Sequence, residues 1–196
     1  MAKFNQFYAA VEPNSEFRQV LLLRACSMMQ QHHARRTNMT KDVKKMTEEE
    51  IRERVLLLGF GGDQRLFMSF CKRLKADLPA GTGVALRGSV VTNKKWEDGR
   101  PFDADGAGTS DLDITLVGNK VMEYWDKDAF YIPGLHTKPL CDEDPTIAIG
   151  LNKLRKDLQN LVGRPVNMQA TANLVLYARD VLFGEPYFTA IEPEKE

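Results

Sequence analysis

Two aspartates stand one residue apart in the apolar stretch GTSDLDITL, which spans residues 108–116. Alternate side chains of a β-strand share a face, so Asp111 and Asp113 would point to one side of a sheet. Neighbouring buried carboxylates repel each other strongly enough to protonate one of them. A divalent cation removes this repulsion, and Mg²⁺ prefers oxygen ligands. The pattern predicts a metal site at Asp111 and Asp113, with a half-exposed strand in water as the simpler alternative.

A short apolar run upstream ends beside a candidate phosphate site. The segment GVAL begins at Gly83 and is followed by Arg87, Gly88 and Ser89. Backbone N–H groups beside a glycine, together with a serine hydroxyl, can hold phosphate oxygens. Because a nucleoside triphosphate with Mg²⁺ needs both a phosphate site and carboxylates for the metal, Gly88 and Ser89 predict a nucleotide-binding role.

Helical patterns occupy the first part of the chain. Thr47 and Glu50 have the spacing of a capping box, and Gly59 is expected to end the helix that they begin. The expected helices lie over residues 15–36, from Thr47 to Gly59, and from the N-cap residue Asp63 to Pro79. We therefore expect an N-terminal helical segment over residues 1–80.

Strands and helices alternate in the rest of the chain. Apolar residues at helical spacing precede Gly163 and Gly184, which are expected to end two helices. Four strands are expected, near residues 83–89, 111–118, 166–170 and 187–192. This order predicts an α/β (α+β) fold, with a small mixed sheet flanked by helices over residues 81–196.

Two motifs resemble those of the DNA polymerase beta-like nucleotidyltransferase superfamily. They are Gly88-Ser89 and, after a loop, the segment Ser110–Asp113. Residues 151–169, LNKLRKDLQNLVGRPVNMQ, resemble the helix and third strand of the same fold. The resemblance implies that Gly88 and Ser89 hold an NTP triphosphate and that the catalytic residues Asp111 and Asp113 bind two Mg²⁺ ions. It also implies that an acceptor hydroxyl attacks the α-phosphate and releases pyrophosphate.

The chain departs from the family pattern at two places. The loop Val90–Ser110 is 21 residues long, which is longer than the corresponding loop in small members of the family. Its Asp103 or Asp105 is a possible third metal ligand. The same loop carries Lys94, Lys95 and Arg100, which are possible contacts of a triphosphate or an ordinary solvated surface. Where the family has a third carboxylate this chain has Asn167, whose amide is at most a weak Mg²⁺ ligand and cannot act as a general base.

Two functional hypotheses follow. The first is a Mg²⁺-dependent nucleotidyltransferase that moves a nucleoside monophosphate from an NTP to an unidentified hydroxyl of a small molecule, protein or RNA. The second is a catalytically degenerate nucleotide-binding module that acts as a regulator or in a toxin–antitoxin pair. Asn167 is the residue that separates them.

Composition narrows the classes of partner. Lysine plus arginine and aspartate plus glutamate both number 27, so no overall field attracts nucleic acid or an anionic membrane. Hydrophobic residues make up 43% of the chain, and no run is long enough to span a membrane. The three cysteines, Cys26, Cys71 and Cys141, have no CxxC spacing and are expected to be reduced thiols. These features predict a cytoplasmic protein without a membrane partner.

Overall fold

The computed structural model describes residues 38–194, so the helix predicted over residues 15–36 lies outside the described residues. The chain divides between Thr40 and Lys41, and every element named below belongs to the unit that begins at Lys41. The strands are β1 (Gly83–Arg87), β2 (Leu112–Val117), β3 (Phe130–Ile132), β4 (His136–Thr137), β5 (Val166–Thr171) and β6 (Phe188–Ile191). The helices are a 3₁₀ turn (Val43–Lys45), α1 (Glu48–Phe60), α2 (Gln64–Asp77), α3 (Ser89–Thr92), α4 (Asn119–Met122), α5 (Ile149–Val162) and α6 (Leu174–Asp180).

The six strands form one mixed sheet in the order β3-β4-β5-β2-β1-β6. Strands β2 and β5 run parallel, whereas β1 is antiparallel to both β2 and β6. The predicted α/β class with a mixed sheet is confirmed at this level. Strands β3 and β4 were not predicted, because segments of three and two residues show no readable alternation.

Local signals set the ends of the first helices. Thr47 caps α1 through the predicted capping box with Glu50, and Asp63 caps α2 by accepting from two backbone N–H groups. The prediction that Gly59 ends α1 is wrong, because the helix continues to Phe60 and Gly61 is its left-handed C-cap. A Cβ on Gly59 would lie 3.1 Å from side-chain atoms of two neighbours, so this glycine permits close packing of α1.

Of the two later helices with a predicted glycine cap, one ends at that cap and the other does not. Helix α5 ends at Val162 with Gly163 as its C-cap, as expected. Helix α6 is shorter than predicted, because it ends at Asp180 rather than beside Gly184.

One face of the sheet is apolar and is covered by helices α1, α2 and α5. Alternate residues of the central strands point into this layer and are fully buried, as Leu112, Ile114 and Leu116 of β2 are. The hydrophobic cluster that they form includes Val84, Leu86, Val166 and Met168 from the sheet and Val55, Phe70, Leu74, Leu151 and Leu158 from the helices. Burial of this layer is the main stabilising contribution of the fold.

The opposite face of the sheet is polar. Across β1, β2 and β5, Arg87 pairs with Asp113, and Asp113 pairs with Asn167. The next row on this face includes Thr115 and Gln169. Directly opposed residues share a face, so these polar side chains form a continuous layer that begins at the aspartates and is buried at Thr115 and Gln169. The predicted alternation of polar and apolar residues in β2 is confirmed.

Among the described residues, no helix has both the length and the apolar character to cross a membrane. Cys71 and Cys141 are free thiols, whereas Cys26 lies outside the described residues.

Candidate functional site

The two aspartates meet at the side-chain amide of Asn167. Its Nδ2 donates to Asp111 Oδ2 at 2.9 Å and to Asp113 Oδ1 at 3.3 Å. Asp111 immediately precedes β2, Asp113 is the second residue of that strand, and Asn167 lies directly beside Asp113 on β5. The parallel pairing of β2 and β5 therefore brings both carboxylates to one place.

Gly88 lies against the Asp113 carboxylate. Strand β1 ends at Arg87, and the chain turns at Gly88 into the one-turn helix α3, so Ser89 begins a helix and does not end a strand. Gly88 has φ 72° and ψ −147°, a conformation that suits glycine alone, and a Cβ there would lie 2.9 Å from Asp113 Oδ2. The sequence motifs Gly88-Ser89 and Asp111–Asp113 are thus in direct contact.

The Asp111 carboxylate has negatively charged surroundings. Partial burial of the carboxyl is the largest cause that raises the pKa of Asp111 above its usual value, and the charges of Asp113, Glu143 and Glu97 raise it further. The hydrogen bond from Asn167 acts in the opposite direction. A bound cation would remove this electrostatic cost.

Arg87, directly before the Gly88-Ser89 motif, lies beside Asp113. Its Nη2 lies 3.8 Å from Asp113 Oδ1 and donates a hydrogen bond to Gln169 Oε1. The signal that places it here is the register of β1 against β2, which pairs Arg87 with Asp113. Sequence alternation within β1 alone cannot supply that register.

Tyr177 and His136 continue the polar layer beyond Thr115 and Gln169. The Thr115 hydroxyl donates to Tyr177 Oη at 3.2 Å, and the Tyr177 ring lies 4.8 Å from the ring of His136. Burial, with a smaller contribution from the charge of Arg87, lowers the pKa of His136 to about 4. His136 is therefore neutral at pH 7. The sequence gives no sign of these contacts, because β4 is too short to be recognised.

Asp103 does not reach the two aspartates as a third ligand, because other groups hold both of its oxygens. It accepts from Arg164 Nη1 at 3.1 Å and Nη2 at 3.0 Å. It also accepts from the backbone N–H groups of Ser110 and Gly108. Its side chain therefore fixes the loop that precedes β2.

Asp105 is likewise occupied within the loop. Lys95 Nζ lies 2.6 Å from Asp105 Oδ2, and Arg100 Nη1 lies 2.5 Å from Asp105 Oδ1. Lys95 and Arg100, which were possible triphosphate contacts, thus have a carboxylate partner in the loop. The structure does not bring Asp103 or Asp105 into hydrogen-bond contact with Asn167, where Asp111 and Asp113 meet.

The long loop between the two motifs is folded. Asn93 Oδ1 accepts from the backbone N–H of Phe102, and the guanidinium of Arg164 lies 4.7 Å from the centre of the Phe102 ring. Arg164 also donates to the carbonyl of Ser110, directly before Asp111. The loop therefore positions the start of β2 relative to α3.

The residues present fit a Mg²⁺ ion only in part. Within residues 38–194 no group of three or more His, Cys, Asp or Glu side chains is arranged to hold a metal. Asp111 and Asp113 offer carboxylate oxygens, and Asn167 can offer its amide oxygen if the amide turns over. The donor set is two carboxylates and one amide, all hard oxygen ligands.

No family model matches the chain, and neither a curated protein nor a solved structure matches it. The chemistry of the site therefore has to be argued from its own residues.

Proposed function

We propose that the protein is a Mg²⁺-dependent nucleotidyltransferase of the DNA polymerase beta-like type. The observation that carries this proposal is the convergence of Asp111 and Asp113 on one amide, directly against a glycine where no side chain fits. A purely structural strand would not need two carboxylates that repel each other. A site for a metal and a phosphate chain needs both features.

Each residue has a distinct role in this proposal. Asp111 and Asp113 hold Mg²⁺, and the Asn167 amide orients both carboxylates or adds its own oxygen. Gly88 and Ser89 receive the triphosphate at the turn between β1 and α3. When bound, Mg²⁺ neutralises phosphate charge and polarises the α-phosphate.

The proposed transfer forms a bond between the acceptor oxygen and the α-phosphorus. The bond from the α-phosphorus to the oxygen bridging to the β-phosphate breaks, and pyrophosphate leaves with that electron pair. The acceptor's proton passes to solvent, because the amide of Asn167 cannot accept it. The chain's own contribution is thus to bind and orient the two reactants.

Asn167 also favours a second candidate function. It stands beside Asp113, at the position where the superfamily that the motifs resemble carries a carboxylate, and it donates hydrogen bonds to both aspartates. A catalytically degenerate module would bind nucleotide and Mg²⁺ without transferring a nucleoside monophosphate, and would act through a partner as a regulator or toxin–antitoxin component.

Binding of labelled NTPs with and without Mg²⁺ tests the shared part of both candidates. Asp111→Asn and Asp113→Asn should each weaken Mg²⁺-dependent binding, because each removes one ligand charge and keeps the side-chain shape. Asp105→Asn is the matched control, because it removes the same charge from an exposed loop position. Equal losses in all three variants would contradict a metal site at residues 111 and 113.

A transfer assay separates the two candidates. Wild type and Asn167→Asp are incubated with each α-labelled NTP, Mg²⁺ and cell extract as the source of acceptor. Transfer by wild type supports the enzyme. Binding without transfer in wild type, followed by transfer in Asn167→Asp, supports the degenerate module. Absence of nucleotide binding in wild type would contradict both.

A further inference from the structure

Arg87 places a positive charge beside the two aspartates. Its guanidinium lies on the polar face of the sheet, with Nη2 3.8 Å from Asp113 Oδ1, and its side chain is only 20% exposed. Gln169, which accepts a hydrogen bond from the same nitrogen, is itself buried. Two neighbouring strands therefore hold the guanidinium in place.

One donor of this guanidinium is unused. Within the part of the chain that the structure describes, the buried Nε of Arg87 has no hydrogen-bond partner. A buried donor without a partner is unfavourable, and such groups in native proteins call for an explanation. A guanidinium presents its donors as a planar fork that matches two oxygens of a phosphate.

A structural role does not explain this position fully. Arg87 lies on the polar face of the sheet and not in the apolar layer under the helices. His136, further along this face, is neutral at pH 7, so it carries no charge that Arg87 would balance. The charge of Arg87 balances that of Asp113. A positive charge so close to a metal ligand nevertheless opposes the binding of a cation. A site for Mg²⁺ alone would be better without it.

We propose that Arg87 binds a phosphate oxygen of the nucleotide, and that it exchanges Asp113 for that oxygen when Mg²⁺ engages the aspartates. The Arg87 guanidinium and Gly88 both lie beside the Asp113 carboxylate, so a phosphate at the turn would be close to Arg87. This role rests on the proposed function, because it presupposes a nucleoside triphosphate at that turn. It assigns Arg87 to the phosphates and not to the nucleobase.

Replacement of Arg87 should change the affinities for Mg²⁺ alone and for Mg²⁺–NTP in opposite directions. Arg87→Gln should strengthen the binding of Mg²⁺ alone by about threefold or more, because a repelling charge is removed. The same variant should weaken the binding of Mg²⁺–NTP and of Mg²⁺ with inorganic triphosphate by roughly tenfold or more, because a charge-assisted hydrogen bond is lost. Arg87→Lys, which keeps the charge without the fork, should fall between wild type and Arg87→Gln for both ligands.

Isothermal titration of wild type and the variants with Mg²⁺, Mg²⁺–inorganic triphosphate and each Mg²⁺–NTP measures these changes. Arg52→Gln is the control, because it removes an arginine from α1, on the other side of the sheet, and should change no affinity. Far-ultraviolet circular dichroism checks the fold, and if Arg87→Gln does not fold, Arg87→Lys alone decides.

Three results would overturn the role of Arg87. They are affinities unchanged from wild type, losses of equal size for Mg²⁺ alone and for Mg²⁺–triphosphate, and a loss for NTPs without a loss for inorganic triphosphate. Failure of wild type to bind Mg²⁺ and every NTP would instead overturn the proposed function itself, and the Arg87 role with it.

Discussion

Two pairs of aspartates stand close together in the sequence and have opposite surroundings. In the loop, Asp103 is bonded to Arg164 and two backbone N–H groups, and Asp105 to Lys95 and Arg100. At the start of β2, Asp111 and Asp113 share one uncharged amide, and only Asp113 has a guanidinium nearby.

These different partners shift the pKa values of the aspartates in different directions. Burial alone would raise the pKa of Asp103, but the Arg164 guanidinium and the backbone donors bring it below its usual value. Hydrogen bonds from Lys95 and Arg100 lower the pKa of Asp105. Burial and neighbouring negative charges raise the pKa of Asp111. Carboxylates that stabilise the loop are thus neutralised within the protein, whereas Asp111 keeps negatively charged surroundings that a cation would relieve.

The largest effect should come from Asp103→Asn. This change leaves the Arg164 side chain, which is 9% exposed, without its counter-ion. We expect a loss of about 3 kcal/mol in the free energy of unfolding, because an unpaired buried charge is costly. Urea denaturation measures it, and a loss as small as that of an exposed aspartate would show that the loop does not depend on this pair.

Gly88→Ala should come second. The new Cβ would combine a strained backbone with a contact of 2.9 Å to Asp113 Oδ2, and about 2 kcal/mol of stability should be lost. Gly99→Ala is a control for the positive φ, because Gly99 also has φ 72° but a Cβ there would meet no neighbouring atom within 4 Å. If both variants lose the same stability, the contact with Asp113 is unimportant and backbone strain accounts for the whole effect.

Asp111→Asn should change stability in the opposite direction. At pH 7 and without metal, the free energy of unfolding should equal or exceed that of wild type, because one of two like charges is removed. Added Mg²⁺ should raise the melting temperature of wild type more than that of the variant. A ligand stabilises the folded state in proportion to how tightly it binds there, and the variant should bind Mg²⁺ more weakly. Thermal denaturation with and without Mg²⁺ measures both, and an equal response to Mg²⁺ would count against Asp111 as a ligand.

The pH dependence of Asp103 and Asp111 should also be opposite. The pKa of Asp103 is lowered, so its favourable contribution is present above the unfolded-state value of about 4 and is lost as pH falls through the folded-state value. The pKa of Asp111 is raised, so its unfavourable contribution is complete above the folded-state value and disappears as pH falls to about 4. Any advantage of Asp111→Asn over wild type should therefore vanish in acid, and an advantage that persists there would have another cause.

The smallest effect should come from Asp105→Asn. Its partners Lys95 and Arg100 belong to the same surface loop, and water can replace the lost ion pairs. The free energy of unfolding should fall by much less than it does for Asp103→Asn. Equal losses for the two loop variants would remove the distinction between a buried and an exposed ion pair.

The sequence by itself determined the features that depend on residues close together in the chain. The capping box of Thr47 and Glu50 needs only a spacing of three residues, and the alternation of β2 needs only a spacing of two. These local rules also gave four of the six strands and the mixed α/β class. They were wrong at Gly59, where close packing against residues far along the chain, not helix termination, selects glycine.

Only the tertiary structure decided what the charged groups meet. Arg164 and Asp103 are 61 positions apart, and Asn167 lies 56 positions after Asp111. The pairing of Arg87 with Asp113 depends on the register between β1 and β2, and a shift of one residue would turn Arg87 to the other face. Side-chain type and spacing therefore suggested where a metal and a phosphate would bind. Asp105 is paired within its own loop, but the partner of Asp103 and the amide between Asp111 and Asp113 come from distant segments, so only the folded chain determined what these carboxylates meet.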